Sequence, residues 1–490
     1  MNEPECLDRA AGIRYVSEQM IVPNDCAERI DGLADRRRRM IMRRRFLVFL
    51  LPTAVLFGSG LPAAAQTRTL PSILDIRDRV EVVNSITMKR LETILPRVMD
   101  ETGFDMWIIV CNEDNLDPVF TTMIPYDVWC PITQILVLSK KPGAPPERLN
   151  VSRTDMKGLH QNVWDHRAWD ASKTESQWDC LKRIVAERNP RRIVVNQSAV
   201  IWAADGLTVT LRKKLEETVG PAYSGRLHSG ERLAVLWLET MLEEELELYE
   251  RVAAVAHALL AEIFSSQTVT PGATTLDDLL YSYIQRVSDV GLELFAWPWV
   301  RIRGRSPEDI EKYGPDDRII RRGDLIQCDT GIKYLRYYSD HCEWAYVLRP
   351  DETDVPEGIR KVMAEGNRLQ DIFCGAFKEG LTGNMILADI LDVAQKEGIC
   401  KPKIYSHSIG RFLHEPGPLI GLPWEQKDTG ERGEVRLVPN STFTAELSVT
   451  CPVPEWNGRE LILALEQLVA FTSKGAYFMD GRQTRFHLVK

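Results

Sequence analysis

LIQCDTGIKYLRYYSDHCEW, residues 325–344, sets two carboxylates, Asp329 and Asp340, into a run otherwise made of apolar, aromatic and turn-forming residues. The pattern predicts a β-hairpin, with DLIQCDTG as one strand, Lys333 to Tyr337 as the turn and its edges, and YSDHCEWAYVL as the other strand. Strand alternation puts Gln327 and Asp329 on one face and lets Asp340 and Cys342 share a face of the second strand, so both acids can aim into one site. A pair of solvent-facing acids on an exposed sheet is the alternative, and the hairpin alone does not separate the two.

Three later segments bear on that choice. STFTAELSV isolates Glu446 in a strand-like run, LILALEQLVAF isolates Glu466 in a more apolar one, and SHSIGRFLHEPGP adds His407 and His414. A lone ionised acid in an apolar strand is costly to bury without a compensating charge. Four carboxylates gathered around one neutral imidazole would repel one another and take up protons. Two divalent cations would neutralise them. Such a site is rich in oxygen with one nitrogen ligand, which suits Mn²⁺, Fe²⁺, Co²⁺ or Zn²⁺ and disfavours a thiolate zinc site. The reaction that follows from this chemistry is hydrolysis of a carbonyl compound.

Asp-x10-Asp, the SHSIG-x3-HE segment, the strand Glu after FT and the final strand Glu together resemble the creatinase and methionine aminopeptidase family, the M24 metallopeptidases of "pita-bread" fold. Within it the chain is most similar to Xaa-Pro aminopeptidase and dipeptidase-like proteins. The resemblance implies an α/β and α+β chain, with a creatinase-like N-terminal α/β domain over 84–235 and a pita-bread catalytic domain over 236–490. It makes Asp329 a ligand of one metal, Asp340 and Glu466 bridging ligands, and His407 and Glu446 ligands of a second metal. His414 matches the histidine that contacts the substrate or tetrahedral intermediate, and Glu446 the acid/base that passes a proton from water to the leaving amine. The implied cofactors are two divalent ions, Mn²⁺ foremost, with Co²⁺, Zn²⁺ and Fe²⁺ as alternatives. The implied substrate is a short peptide cut at its N-terminal bond, and the resemblance suggests a homodimer. Two other readings use the same fold: metal-dependent hydrolysis of a non-peptide C–N or small amide bond, and a non-catalytic binding module.

The chain departs from the family around the substrate rather than at the ligands. Family aminopeptidases carry another substrate-contacting histidine ahead of the first Asp, but Glu311 and Lys312 occupy that region and no His occurs between His257 and His341. Glu446 is followed by Leu447 instead of Pro, Cys342 replaces Thr, and Ala464 stands where members that cut before proline often have Arg. Cys342 reads as a small side chain in place of Thr, with a ligand or reactive thiol as the alternative. Cys328 and His341 should point to the opposite face. His257, on a long helical pattern, reads as packed, and His414 could instead be a structural histidine capped by Glu415. Trp297 and Trp299 fit either a substrate wall or the core, while Trp164 and Trp169 read as packing.

The remaining features bound the setting. With 44% hydrophobic and 27% charged residues, the 490-residue chain is long enough for two full cores and is not disordered as a whole. A net charge of −9 gives no electrostatic reason to expect nucleic acid. Arg43-Arg44-Arg45, the apolar run FLVFLLPTAVLF and Ala63-Ala64-Ala65 have the layout of a signal peptide cleaved near Ala65, with a linker at 66–83. The run is shorter than the roughly 20 residues of a permanent membrane span. Export to the periplasm or beyond follows; RRRFL resembles a twin-arginine signal, with Met42 ahead of the pair, and a start at Met40 or Met42 would give the leader its usual length. Cys6 and Cys26 fall in the leader, and the other eight cysteines show no CxxC spacing.

Overall fold

Asp75 starts the first helix by accepting the Asp78 backbone N–H at 2.9 Å, and α1 (Ile76–Thr102) then runs until Gly103, at φ 68°, closes it. Because of that cap the helix begins inside the stretch expected as linker. The computed structural model describes residues 68–165, 175–414 and 416–490. The expected leader, Trp169 and Glu415 lie outside the described residues.

A six-stranded sheet follows, built from β1 (Met106–Asn112), β2 (Thr133–Ser139), β3 (Glu147–Asn150), β4 (Gln161–Asn162), β5 (Ile193–Val195) and β6 (Leu227–Ser229) in the order β4-β3-β2-β1-β5-β6. The MWIIVC run of β1 is buried on both faces. Trp107, Ile109 and Cys111 pack in one core with α1, whereas Met106, Ile108 and Val110 pack in the other with helices Gln177–Arg188 and Val209–Val219. The next helix, Glu231–Glu239, is almost wholly buried and spans the boundary expected at 235/236.

The second half opens with helices Glu243–Ile263 and Leu276–Asp289. It continues through β7 (Trp299–Gly304), β8 (Leu325–Thr330) and β9 (His341–Val347), and then helices Glu357–Gly375 and Gly383–Lys396. β10 (Lys403–Tyr405), β11 (Ser441–Thr444), β12 (Glu446–Pro452), β13 (Glu460–Leu465), β14 (Leu468–Thr472), β15 (Gly475–Phe478) and β16 (His487–Val489) complete it. The first helix pair packs on β16-β9-β8-β7, and the second on β10-β12-β13 and β11-β14-β15. The two systems meet where the Cys342 N–H donates to the Glu466 carbonyl at 3.0 Å. Among the described residues no helix is long and apolar enough to cross a membrane.

The expected hairpin is present but pinched. β8 and β9 pair antiparallel, with Asp329 opposite Cys342 and Thr330 opposite His341. Between them Ile332–Tyr334 and Tyr337–Tyr338 form a separate ribbon, turned by Leu335 and Arg336 at φ 54° and 68°. Both central residues lie in the left-handed region, the backbone of a type I′ turn. Arg336 is held there by donating to the Ile124 and Pro125 carbonyls at 2.9 Å each. At the neck, a Cβ on residue 331 would sit 1.6 Å from the Ser339 carbonyl oxygen, so Gly331 is a steric requirement. This neck, not the second strand, carries Asp340; the strand begins at His341 rather than at Tyr338 as expected.

One buried ionic cluster joins the halves. Glu245, in the first turn of helix Glu243–Ile263, accepts from Arg90 of α1 at 2.7 Å, from the Tyr337 hydroxyl at 2.8 Å and from Arg411, on the loop after His407. Arg90 also donates to the Thr240 carbonyl at 2.6 Å and to that of Trp237. Burial pushes the Glu245 carboxyl up, but Arg411 and then Arg90 more than offset it and hold it at about 2, below the ordinary 4.5. Removing one partner of such a cluster strands the other charges. Glu245→Ala should therefore lower stability by about 3–5 kcal/mol, read from the shift of the urea unfolding midpoint. A group with a depressed folded pKa contributes stability above its unfolded value and loses it as pH falls. The gap between wild type and Glu245→Gln should accordingly close as pH drops from about 4.5 towards 2 in acid unfolding monitored by circular dichroism.

Candidate metal and catalytic site

Asp340, His407 and Glu466 each offer a ligand atom, and the three atoms all lie within 4.8 Å of one another. Each arrives on a different part of the sheet system. Asp340 stands at the pinched neck of β8–β9, and Glu466 follows β13 directly. His407 lies in an extended segment tied to β11 by the Ile409 N–H to Thr442 carbonyl bond at 3.0 Å and the Thr444 N–H to His407 carbonyl bond at 3.1 Å. Exposures of 6%, 1% and 3% for Asp340, His407 and Glu466 put all three out of bulk water.

Asp329 and Glu446 complete the acidic group by electrostatics. Asp329 sits opposite Cys342 on the strand after Asp340, and Glu446 opens β12 opposite Tyr405. Burial drives the Asp340, Glu446 and Glu466 carboxyls well above the ordinary carboxylate range; Asp329 adds to the rise at Asp340, where a hydrogen bond with Glu466 works against it, and neighbouring acids add to it at Glu446 and Glu466. Burial raises Asp329 to about 6, with Arg301 and Arg303 pulling the other way. Among the described residues no Lys or Arg forms an ion pair with Asp340, Glu446 or Glu466. Four acids so placed cannot all ionise at neutral pH unless cations join them, and the donor set of carboxylate oxygens plus one imidazole nitrogen fits divalent ions.

His407 has the form a ligand needs. Burial first, and His414 second, hold its pKa at about 3, so the ring is neutral. Its Nδ1 lies 3.1 Å from the Ser408 carbonyl, which can only accept. The proton therefore sits on Nδ1, and the bare Nε2 points to the acids, 3.9 Å from Asp340 Oδ2. The His414 ring centroid is 4.4 Å from that of His407, at the solvent edge of the site. Burial and then Arg432 lower its pKa.

The neighbouring residues sort clearly. Cys342 takes a hydrogen bond from Gln327 Nε2 at 2.9 Å and lies 3.5 Å from the Ala464 carbonyl; burial and Asp329 push its thiol well up, so it is a protonated space-filler rather than a reactive thiolate. Cys328 is in the core on the other face. His341 is buried and neutral, with its ring 4.4 Å from that of His257, and His257 Nε2 lies 2.9 Å from Gln467 Oε1. Trp297 and Trp299 are 65% and 59% exposed, which removes the core-packing reading for both. Glu311 and Lys312 belong to a short helix, Pro307–Tyr313, and do not occupy the strand beside Asp329. That place belongs to β7, with Trp299 opposite Asp329 and Arg301 opposite Gln327. The two arginines went unnoticed in the sequence, although the alternation Trp299-x-Arg301-x-Arg303 was there to read.

With this geometry in view, comparisons with known proteins are informative. Residues 247–473 match the sequence model of Metallopeptidase family M24. The "Probable dipeptidase PepE" of Mycobacterium bovis and of Mycobacterium tuberculosis is 24% identical over 183 residues, 37% of this chain. The matched segment spans 44% of the length of those curated relatives. Among solved structures, the X-Pro aminopeptidase of Thermotoga maritima superposes with a TM-score of 0.54 at 16% identity, covering 80% of this chain and all of that one. The dipeptidase PepE of Mycobacterium ulcerans gives 0.51 at 15% identity, covering 85% and 99%. The N-terminal domain of the FACT complex subunit SPT16 from Cicer arietinum gives 0.53 at 12% identity, covering 83% and 99%. At these identities the structural likeness speaks for the fold: a creatinase-like N-terminal domain and a pita-bread domain. The segment 247–473 that matches the metallopeptidase family M24 model holds Asp329, Asp340, His407, His414, Glu446 and Glu466.

Proposed function

We propose that the protein is an exported, dinuclear-metal peptidase that hydrolyses the N-terminal bond of short peptides, in the manner of Xaa-Pro aminopeptidases and dipeptidases. The observation that carries this reading is the convergence of Asp340, His407 and Glu466 within 4.8 Å, with Asp329 and Glu446 in electrostatic reach of these acids. Asp329 would hold one ion, His407 and Glu446 the other, and Asp340 and Glu466 both. When bound, two divalent ions, Mn²⁺ foremost, would neutralise the acids and supply Lewis acidity towards a peptide carbonyl and an attacking water.

The chain's own groups then handle protons and position. Glu446, half-buried and with a strong affinity for protons, is suited to take one from the attacking water at a carboxylate oxygen and return it to the leaving amine. His414, exposed beside His407, would hydrogen-bond the scissile carbonyl as charge develops on its oxygen. Tyr405, whose ring lies 5.4 Å from that of His407, walls the site and keeps its hydroxyl protonated.

Asp340→Ala and Glu466→Ala should each abolish metal loading, measured by elemental analysis after dialysis, and peptide hydrolysis with it. A protein that stays empty in excess Mn²⁺ or Co²⁺ would instead favour a binding module. His414→Ala should keep its metal content while kcat falls by about 10²–10⁴-fold, the range for loss of a positioned proton-transfer group; an unchanged kcat in the loaded variant removes that role. Export predicts that material recovered from the periplasm or medium begins at Gln66 by N-terminal sequencing, and an intact leader on an intracellular protein would refute it.

A further inference from the structure

β7 forms one wall of the acidic site and carries two guanidinium groups that the proposed chemistry does not use. Trp299 lies directly opposite Asp329, and Arg301 opposite Gln327. Residues opposite one another in an antiparallel pair project to the same face. Gln327 reaches Cys342, and Cys342 is opposite Asp329, so the face of β7 that bears Trp299 and Arg301 is the face of the site. The β7–β8 register slips between Ile302 and Gly304, a bulge of the kind that re-aims a side chain beside an active site. Arg303 sits in that bulge, within electrostatic reach of Asp329 and Cys342.

The two arginines differ from their neighbour on the chain. Arg305 is committed to structure, donating to Asp324 at 2.7 Å from two nitrogens and pairing with Asp317 at 3.3 Å. Arg301 stacks over the Trp299 ring, 4.4 Å from its centroid, with that ring more than half exposed. Among the described residues neither Arg301 nor Arg303 forms an ion pair. Burial, followed by the charge of Arg301, works against the charge on Arg303. Two like charges two residues apart, facing the single carboxylate of Asp329, leave positive charge that an anionic ligand would neutralise.

We propose that Arg301 and Arg303 form a carboxylate-recognising subsite at the rim of the acidic centre, so that the preferred substrate carries a carboxylate close to the scissile bond. The inference rests on the peptidase reading and specifies its substrate. Arg301 is one strand over from Asp329 and two residues along, roughly 5 Å across and 7 Å along. An anchor at that range suits the free C-terminus of a dipeptide or an acidic side chain at the second position, since an extended peptide advances only about 3.5 Å per residue. The planar guanidinium matches a carboxylate in a two-pronged, charge-assisted contact.

The test uses the Mn²⁺-loaded protein and four peptides: Ala-Ala, Ala-Ala-amide, Ala-Glu-amide and Ala-Gln-amide. The expected result is that kcat/KM for at least one anionic peptide exceeds that of its neutral partner by about 10–100-fold, the worth of a hydrogen bond to a charged group, mainly through KM. Preference for Ala-Ala over its amide assigns the C-terminus, and preference for Ala-Glu-amide over Ala-Gln-amide assigns the side chain. Arg301→Ala and Arg303→Ala should each lower that ratio, and the double variant should bring it close to one with metal content unchanged. Equal kcat/KM within both pairs, a ratio unmoved by the substitutions, or loss of metal in the variants would overturn the proposal. If the loaded wild type cleaves only proline peptides, Ala-Pro and Ala-Pro-amide replace the Ala-Ala pair; if it cleaves neither those nor the four, the peptidase reading fails separately. Calorimetry with glutarate then decides the subsite: binding that Arg301→Ala and Arg303→Ala abolish supports it, and its absence overturns it.

Discussion

The mutual repulsion of four carboxylates, Asp340 and Glu466 buried and Asp329 and Glu446 half-buried, is the constraint around which the C-terminal half is organised. Asp329, Asp340, Glu446 and Glu466 come from segments that meet only when the two sheet systems close on one another, and Asp329 and Asp340 raise the proton affinity of Glu446 and Glu466. A fold that relied on burial alone would leave these acids protonated and the centre inert. Fixed strands, two helix pairs and apolar cores hold the acids together against that repulsion, leaving a place where positive charge is strongly favoured. The neutral His407, with its proton committed to the Ser408 carbonyl, adds a donor without adding to the repulsion.

Holding such groups steady requires polar anchors on the reverse side as well. His257, from the long helix, bonds to Gln467, the residue after Glu466, and the Gln467 carbonyl accepts the Ala445 N–H at 2.7 Å, next to Glu446. Two acids of the centre are therefore flanked by one shared set of bonds. The Glu245 cluster does comparable work for the loop that follows His407, because Arg411 on that loop is tied through one carboxylate to Arg90 of the N-terminal half. The two halves share a buried charge as well as apolar surface, which couples the conformation of the loop after His407 to their docking.

Much of this centre was legible because chemistry and surroundings disagreed in the sequence. Asp340, Glu446 and Glu466 each stand alone among residues that strands bury, and an acid in that position needs a reason. The β-hairpin was legible from period-two alternation, and the N-terminal sheet from apolar runs such as MWIIVC. The pinch between β8 and β9 was not, since it depends on where the Ser339 carbonyl comes to rest. Arg301 and Arg303 were missed because helix Pro307–Tyr313 lengthens the chain between β7 and Asp329, so the residues nearest in sequence are not those nearest in space. The Glu245 cluster was equally hidden: its arginine partners lie 155 and 166 residues away along the chain.

Gly331 divides the site into a part open to evolutionary drift and a part closed to it. Its bare α-carbon lies against the Ser339 carbonyl one residue from Asp340, so even a methyl group there would pry the neck apart and displace that acid without touching it. The exposed Trp299 and Arg303 of β7 meet no such stop and can be exchanged with little effect on the backbone. A lineage built on this architecture can retune what it accepts while the spacing of its acids stays frozen, held by the smallest side chain in the neighbourhood.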